Sequence, residues 1–370
     1  MRFLRHRYTR RLLVAAGVAA VLVALVVAQA PRLIAQPGSV QYTILDYGPM
    51  TDQAAVLSSI NTQREIAGGF RRPGSGKIAG AVVGGQQSQQ EINTGPRGEL
   101  SVSYDINDRG DVVGSFTGDT AVRPFRSNRT TAFRELPLLP GDTGGIAYGV
   151  NGIGEAVGYS SGAGGQRAVS WDGPGAVRAL PSAGAASSRA LGVNDRGDTV
   201  GTVGDQPRQA TLWPGRGSPV TLRPLPDYTG AEAVSIDEGG AAVGYALGGA
   251  GPPGRSRAVL WGSGDRAPVD LGALPGGTNS RARDIGTDGS VVGVASSDRG
   301  DRAFVWTTAG GMVDLNTLAN AGGLVLADAV SVNRNGDILA VGYEPAPASG
   351  GHVHAAHERP RRALVLVPVR

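Results

Sequence analysis

The chain of 370 residues lacks one residue type on which catalysis and metal binding often depend, and it has little of another. It has no cysteine, which excludes disulfide bonds and thiolate-ligated metals. Only three of its four histidines lie beyond the N-terminal segment, and all three fall in one Gly-, Pro- and Ala-rich insert, as His352, His354 and His357. The repeats described below therefore contain no histidine–carboxylate–nucleophile set and no cluster of metal ligands.

A basic surface is also missing from most of the chain. The formal net charge is +4, but residues 1–35 carry six arginines and no acidic residue. Without that segment, 29 basic residues face 31 acidic ones, so the remainder is slightly negative. A nucleic-acid-binding domain keeps its positive charge on the folded part. We therefore expect no nucleic-acid partner.

Glycine and proline are abundant instead, with 59 and 23 residues, and the apolar residues fall in short runs between turns. The clearest stretch, residues 276–318, contains four such runs: Ala282–Ile285, Val291–Ala295, Ala303–Trp306 and Met312–Leu318. Runs this short, bounded by Gly, Asp and Ser, predict strands. No apolar spacing typical of a helix is sustained there. The stretch predicts one four-stranded antiparallel sheet.

The same unit recurs along the chain. Its most constant part begins with an aliphatic residue and a second residue, usually asparagine, which we call the anchor. A turn with glycine and a short run of small apolar residues ending in glycine follow. The anchors lie 43 to 49 residues apart, at Asn61, Asn107, Asn151, Asn194, Asp237, Gly286 and Asn333. A period in the forties built from four strands is typical of β-propeller blades. The sequence therefore predicts seven blades.

All the tryptophans occupy one position of the repeat, at the end of its third run. They are Trp171, Trp213, Trp261 and Trp306. A large side chain placed once per sheet most simply fills the layer between adjacent blades. A row of tryptophans on which sugars stack is the alternative interpretation.

The two ends of the repeat region complement each other. The last copy stops after its third run at residues 362–367, whereas residues 40–47 form an extra run that resembles the fourth run of other copies. We expect this N-terminal strand to complete the seventh blade, because a closed ring leaves no sheet edge unpaired. The predicted fold is all-β, a seven-bladed propeller of four-stranded antiparallel blades over residues 40–370.

The best copy of the repeat also carries a family resemblance. Residues 274–278, LPGGT, and the segment from there to Val313-Asp314-Leu315 resemble the HAF repeat of predicted bacterial extracellular proteins. The resemblance covers roughly residues 40–367, although the family's His-Ala-Phe reads Arg-Ala-Phe at Arg302–Phe304. It implies export and repetition, and it implies no established reaction.

Residues 1–39 precede the predicted propeller. Residues 1–11 are basic, and residues 12–30 form an apolar run long enough to span a membrane. Ala28-Gln29-Ala30 has the small-x-small form of a signal-peptidase site, although Pro31 follows it. We expect a hydrophobic N-terminal helix that is either a cleaved signal peptide or an anchor in the membrane. In both cases the propeller is exported, either extracellular or tethered to the outer face of the cytoplasmic membrane.

Two groups of residues are candidate sites. The polar anchors end the predicted innermost strands, so they could ring one mouth of the central channel and bind a ligand there; they are Asn61, Asn107, Asn151, Asn194, Asp237 and Asn333. The alternative is that each caps its own turn. His352, His354 and His357 have a spacing that could ligate zinc or copper, but nothing in their insert orients the rings, and a solvated loop is favoured. A shallow pocket is also expected at the rim formed by connections such as residues 276–280.

These observations favour binding over catalysis. The predicted function is that of a monomeric, non-enzymatic binding or scaffold protein at the bacterial cell envelope, with a protein or glycan ligand and no cofactor. The alternative is a propeller glycoside hydrolase or lyase that acts on envelope polysaccharide through two carboxylates facing the channel. A purely structural envelope protein is a third possibility.

Overall fold

The computed structural model describes residues 41–50, 56–71, 77–84, 89–92, 100–128, 133–173, 175–249, 254–345 and 361–369. The chain divides into two compact units, Met1–Ser39 and Val40–Arg370. The predicted N-terminal helix and the three histidines of the late insert lie outside the described residues. Within the described ranges, no helix combines the length and the apolar character needed to cross a membrane.

The second unit contains seven four-stranded antiparallel sheets, as predicted. The first strand, β1 (Tyr42–Met50), belongs to the last blade, and blades one to three follow it along the chain. Blade one contains β2 (Val56–Ile60), β3 (Ile66–Arg71), β4 (Ile78–Val83) and β5 (Gln89–Glu91). Blade two contains β6 (Ser101–Ile106), β7 (Val112–Thr117), β8 (Val122–Ser127) and β9 (Arg134–Glu135). Blade three contains β10 (Gly144–Val150), β11 (Ala156–Gly162), β12 (Gly165–Trp171) and β13 (Val177–Ala179).

The remaining blades repeat this order. Blade four contains β14 (Ser188–Val193), β15 (Thr199–Val203), β16 (Gln209–Trp213) and β17 (Val220–Leu222). Blade five contains β18 (Gly230–Ile236), β19 (Ala242–Leu247), β20 (Ser256–Trp261) and β21 (Pro268–Asp270). Blade six contains β22 (Ser280–Ile285), β23 (Val291–Ser297), β24 (Gly300–Thr307) and β25 (Gly311–Asp314). Blade seven contains β26 (Val325–Val332), β27 (Ile338–Tyr343) and β28 (Arg361–Pro368), completed by β1.

The predicted closure of the ring is confirmed. Strand β1 pairs antiparallel with β28, so that Ile44 lies opposite Leu366 and Asp46 lies opposite Leu364. The Asp46 carboxylate also accepts a hydrogen bond from Nε of Arg362 at 2.9 Å. The strand extends to Met50, three residues beyond the predicted run. The N-terminal strand therefore supplies the outermost strand of the last blade.

The C-terminal part of blade six differs from the prediction. The predicted run of residues 312–318 splits into β25 and a single 3-10 turn, Leu315–Thr317. The side chain of Asp314 caps this turn by accepting from the backbone N–H of Asn316 at 2.9 Å. Asn316 in turn exchanges two hydrogen bonds with the backbone of Leu326. The turn thus ties the connection to the first strand of the next blade.

Every innermost strand contains a β-bulge shortly before the anchor. In blade three, Ala147 lies opposite Gly158 and Gly149 lies opposite Val157, so Tyr148 is skipped in the register. A bulge re-aims the side chains beside it. The residue after the skipped one faces the central channel in five blades, as Ser59, Asp105, Ser235, Asp284 and Ser331.

The glycine that ends the repeated motif is required by the same bulge. A Cβ on Gly158 would lie 1.9 Å from the backbone oxygen of Ile146, and one on Gly244 would lie 1.9 Å from that of Glu232. Both distances are far below van der Waals contact. The glycine therefore recurs because the first two strands approach too closely for any side chain.

The predicted packing role of the tryptophans is confirmed. Trp261 shares one buried cluster with Leu212 and Leu222 of the preceding blade. Three of the indole N–H groups also donate to a backbone oxygen in the connection that enters their own blade: Trp171 to Pro137, Trp213 to Pro181 and Trp261 to Arg223, at 2.7, 2.7 and 2.8 Å. Trp171 and Trp261 are fully buried, so they offer no platform to a sugar.

Candidate functional site

The polar anchors lie at one end of the central channel, which we call the turn end. Each caps its own turn, as the alternative interpretation predicted. Oδ1 of Asn107 accepts from the backbone N–H groups of Arg109 and Asp111 at 3.0 and 2.9 Å, and Nδ2 donates to the Asp111 carboxylate at 3.0 Å. The same cap recurs at Asn61, Asn194 and Asn333.

The anchors also link neighbouring blades. Nδ2 of Asn107 donates to the backbone oxygen of Asn151, the anchor of the next blade, at 2.8 Å. The equivalent bond joins four further pairs at 2.9 to 3.3 Å: Asn61 to Asn107, Asn151 to Asn194, Asn194 to Asp237, and Asn333 to Asn61. The side-chain amides of these anchors therefore form hydrogen bonds to other groups of the protein. A ligand-binding role for them stays a prediction, and the geometry favours a structural one.

The chain of anchor bonds is interrupted on both sides of blade six, because Asp237 has no donor and Gly286 has no side chain. The Asp284 carboxylate spans both interfaces instead. It accepts from the Ser235 hydroxyl of blade five at 2.7 Å and from the Ser331 hydroxyl of blade seven at 2.9 Å. It also accepts from the backbone N–H of Val332 at 2.9 Å. One carboxylate thus bridges the two interfaces that lack an amide bridge.

An arginine lies across the turn end. Nη2 of Arg334, in blade seven, is 3.0 Å from the Asp195 carboxylate and 3.1 Å from the Glu238 carboxylate, in blades four and five. Its Nε also lies 3.9 Å from Asp108 in blade two. These ion pairs cross the ring, so they obstruct access to the channel from this end.

Two carboxyl groups face the channel itself, as the enzymatic alternative required. They are Asp105 and Asp284, in blades two and six, and the cavity around them has a volume of about 170 Å³. The pKa of Asp105 is raised to about 6, mainly by burial and also by the nearby Asp284 carboxyl. Hydrogen bonds from Ser59, Val150 and Ile106 oppose this rise. Burial raises the pKa of Asp284 as well. The cavity is smaller than most ligand sites, which occupy about 300–1,000 Å³.

At the opposite end of the channel the innermost strands begin, and Arg189 and Glu232 lie near the start of theirs. Tyrosine side chains from the neighbouring blades come within reach of these charged groups. Tyr104 and Tyr148, from adjacent blades, meet edge to face with ring centroids 5.2 Å apart, and Tyr148 lies 6.0 Å from Tyr159. Burial raises the pKa of Tyr148, Glu232 adds to the rise, and Arg189 opposes it. Groups from blades two to five thus come within electrostatic reach of one another.

A cleft of about 770 Å³ opens beside this end and is a second candidate ligand site. We call it the blade-five cleft. The guanidinium carbon of Arg281 lies 5.1 Å from the centroid of the Tyr245 ring. The Tyr245 hydroxyl donates to Glu232 at 2.9 Å, and Nη1 of Arg208 donates to the other oxygen of Glu232 at 2.5 Å. The remaining lining residues are Asp205, Gln206, Pro207, Thr229, Gly230, Leu247 and Gly248.

Sequence reasoning missed most of this cleft, because its residues come from three blades and are not repeated. It did place a pocket at the rim, and the cleft includes Thr229 and Gly230 from one of the expected connections. A signal was present five residues before each anchor. This position is aliphatic in blades one to three and charged in blades four to seven: Val56, Val102, Ile146, Arg189, Glu232, Arg281 and Asp328.

Solved structures match this architecture over most of its length. The chain is a seven-bladed β-propeller. Virginiamycin B lyase from Staphylococcus aureus is 10% identical, with a TM-score of 0.54 over 89% of this chain and 100% of that one. An oligogalacturonate lyase in complex with manganese is 11% identical, with a TM-score of 0.55 over 89% and 96% of the two chains. The propeller domain of the Trilobed protease from Pyrococcus furiosus is 10% identical, with a TM-score of 0.52 over 84% and 93%.

At these identities the likeness shows the fold alone. The Trilobed protease domain has an open velcro topology, whereas β1 closes the ring of this propeller. No protein-family model and no curated protein matches the chain.

Proposed function

We propose that this protein is an exported binding protein of the bacterial cell envelope, which holds a protein or glycan ligand in the blade-five cleft without altering it chemically. The cleft itself is the observation that carries the proposal. Its volume of about 770 Å³ falls within the range of ligand sites, and it combines an aromatic ring with a few convergent polar groups. It lies at the end of the channel that Arg334 does not obstruct.

The chemistry of the cleft supports binding more than catalysis. Burial raises the pKa of Tyr245 to about 12, and the Glu232 carboxylate contributes to this rise. Its hydroxyl therefore stays protonated at neutral pH, whereas a general base works best with a pKa near the operating pH. Glu232 is already engaged by Arg208 and Tyr245.

The proposal is tested with the full-length protein and two fractions of envelope material, one of glycans and one of proteins. Binding of each fraction is measured by biolayer interferometry for the wild type, for Tyr245→Ala and for Arg208→Gln. We expect one fraction to bind saturably and both variants to weaken it at least tenfold. Arg334→Gln is the matched control, because it removes the same charge at the turn end. A loss in the control but not in the cleft variants would assign the ligand to the other end.

Export is supported by the basic and apolar segment of residues 1–30 and by the HAF-repeat resemblance. Its test is protease treatment of intact bacterial cells and spheroplasts that produce the protein. Digestion of the propeller without lysis is the expected result. Protection until lysis would contradict it.

A hydrolase or lyase acting on envelope polysaccharide is the second candidate. Asp105 and Asp284 favour it, because both face the channel and both have a raised pKa. Each is also fully engaged in hydrogen bonds between blades, and their cavity is small. A screen of polysaccharides for reducing ends or unsaturated products decides between the two candidates. Turnover that disappears in Asp105→Asn and persists in Tyr245→Ala would establish the enzyme.

A further inference from the structure

Arg281 is held in the blade-five cleft with part of its hydrogen-bonding capacity unused. Its Nε donates to the Ser256 hydroxyl at 3.2 Å, and its guanidinium carbon lies over the Tyr245 ring. These contacts fix the side chain but involve no carboxylate. No acidic group of the described residues forms an ion pair with Arg281.

Arg189 repeats this arrangement two blades earlier in the ring. It occupies the same position of its innermost strand, and its Nε donates to the Gln166 side-chain oxygen at 2.6 Å. No ion pair joins it to an acidic side chain within the ranges that the structure describes. Both arginines are half-buried, and each is anchored by a neutral oxygen on one edge.

The neighbouring arginines differ in this respect. Arg208 pairs with Glu232 at 2.5 Å, and Arg283 pairs with Asp328 at 2.9 Å. Glu232 and Asp328 are therefore engaged by these two arginines. Asp205, which also lines the cleft, lies within electrostatic reach of Arg208. The free edge of a half-buried guanidinium matches a carboxylate in a bidentate pair.

The cleft is built for a sugar better than for a peptide. Peptides that bind sheets add a strand to an exposed edge, but β19, which carries Tyr245 and Leu247, is paired on both sides by β18 and β20. The remaining lining offers neutral hydrogen-bonding groups, such as Thr229 and Gln206. Such groups suit the hydroxyls of a pyranose ring, and tyrosine rings suit its apolar face.

We propose that the ligand of the blade-five cleft is an acidic oligosaccharide, one carboxylate of which pairs with Arg281 in the cleft. A further carboxylate pairs with Arg189, which lies outside the lining of the cleft, two blades earlier in the ring. This inference rests on the proposed binding function and narrows it to one chemical class. Glu232 lies between the two arginines in the order of the blades. Because Arg208 and Tyr245 already occupy its oxygens, it competes less with the ligand for the arginines than a free carboxylate would.

The test uses three probes with the full-length protein in isothermal titration calorimetry. They are a uronic-acid tetrasaccharide, the same tetrasaccharide with its carboxyls methyl-esterified, and a tetraglutamate peptide. We expect saturable binding of the uronate, at least tenfold weaker binding of its ester, and no comparable binding of the peptide. Arg281→Gln and Arg189→Gln are each expected to weaken uronate binding about tenfold. Arg334→Gln should leave it unchanged, and thermal melting checks that every variant is folded.

The outcomes separate this inference from the proposed function. Equal binding of the ester, or uronate binding unaffected by Arg281→Gln in a folded variant, overturns the acidic ligand while a binding cleft stands. Preference for the peptide overturns the sugar class. Absence of uronate binding also overturns the inference, and the proposed function is then decided by the two envelope fractions.

Discussion

Asn333 in the last blade donates its side-chain amide to the backbone oxygen of Asn61 in the first blade at 2.9 Å. The bond crosses the seam at which the ring closes, and it is the same bond that joins four other pairs of neighbouring blades. Arg64 reinforces this seam, because its Nε lies 3.0 Å from the Asp337 carboxylate. Closure thus depends on the innermost strands as well as on β1.

The anchor bonds predict that one substitution stabilises the protein. Asp237→Asn supplies the missing amide donor opposite Gly286, and Oδ1 can still accept from the backbone N–H of Ala241, as it does now at 2.8 Å. We expect a gain of about 0.5–1.5 kcal/mol in the free energy of unfolding. Denaturation in guanidinium chloride measures it. Asn194→Asp is the reverse control and should lose more than this, because its new carboxylate also faces that of Asp198. A destabilised Asp237→Asn protein would contradict the role of these bonds.

Removal of the Asp284 carboxylate should be far more damaging. Asp284→Ala leaves two hydroxyls and one backbone N–H without their acceptor at the two interfaces of blade six. We expect a loss of about 3–5 kcal/mol in the free energy of unfolding. Ser235→Ala removes only one of these bonds and should cost about 1 kcal/mol. Similar small losses for both variants in urea denaturation would show that Asp284 does not bridge the blades.

The pKa of Asp105 predicts a specific dependence of stability on pH. Its folded-state pKa of about 6 exceeds the unfolded value of about 3.9, so the folded protein binds more protons between these two pH values. Stability from this group is therefore present at low pH and is lost as pH rises from about 4 to about 6. Asp105→Asn removes the effect.

The measurement is the difference in unfolding free energy between Asp105→Asn and the wild type, taken at pH 4 and pH 7. We expect this difference to shift in favour of the variant by about 1–3 kcal/mol as pH rises. Comparison of two proteins cancels most of the contribution of the other carboxyls. A shift of the opposite sign would mean that the carboxylate is stabilised rather than penalised in the channel.

Much of the fold could be predicted from the sequence, because residues with the same structural role recur at the same positions in the seven blades. The turn asparagines and the glycine at positions such as Gly158 occupy one place in every copy or nearly so, and the tryptophans occupy one place in the four copies that have them. The cleft could not be predicted in this way. Arg208, Tyr245 and Arg281 meet only after three blades have folded, and repetition gives no information about side chains that differ from blade to blade.

The indole hydrogen bonds predict unequal effects of the same substitution in two blades. Trp261→Phe removes a buried N–H donor that now bonds to the Arg223 oxygen at 2.8 Å, and it leaves a small cavity. We expect a loss of about 1–3 kcal/mol in the free energy of unfolding. Trp306 is half-buried and makes no such bond within the described part of the chain, so Trp306→Phe should cost less than about 1 kcal/mol. Equal losses in the two variants would contradict a role for the hydrogen bond.

The pairing of β1 predicts how the protein responds to loss of that strand. Deletion of residues 41–50 leaves β28 as an unpaired edge and uncovers apolar residues that pack against Tyr42 and Ile44, including Leu364 and Leu366. Because an exposed apolar edge strand promotes aggregation, we expect a large fall in Tm and association of the truncated protein. Thermal melting and light scattering measure both. Leu45→Thr is the control, because the Leu45 side chain is 40% exposed, and it should change Tm by no more than about 2 °C. An unchanged melting curve after the deletion would mean that blade seven is stable with three strands.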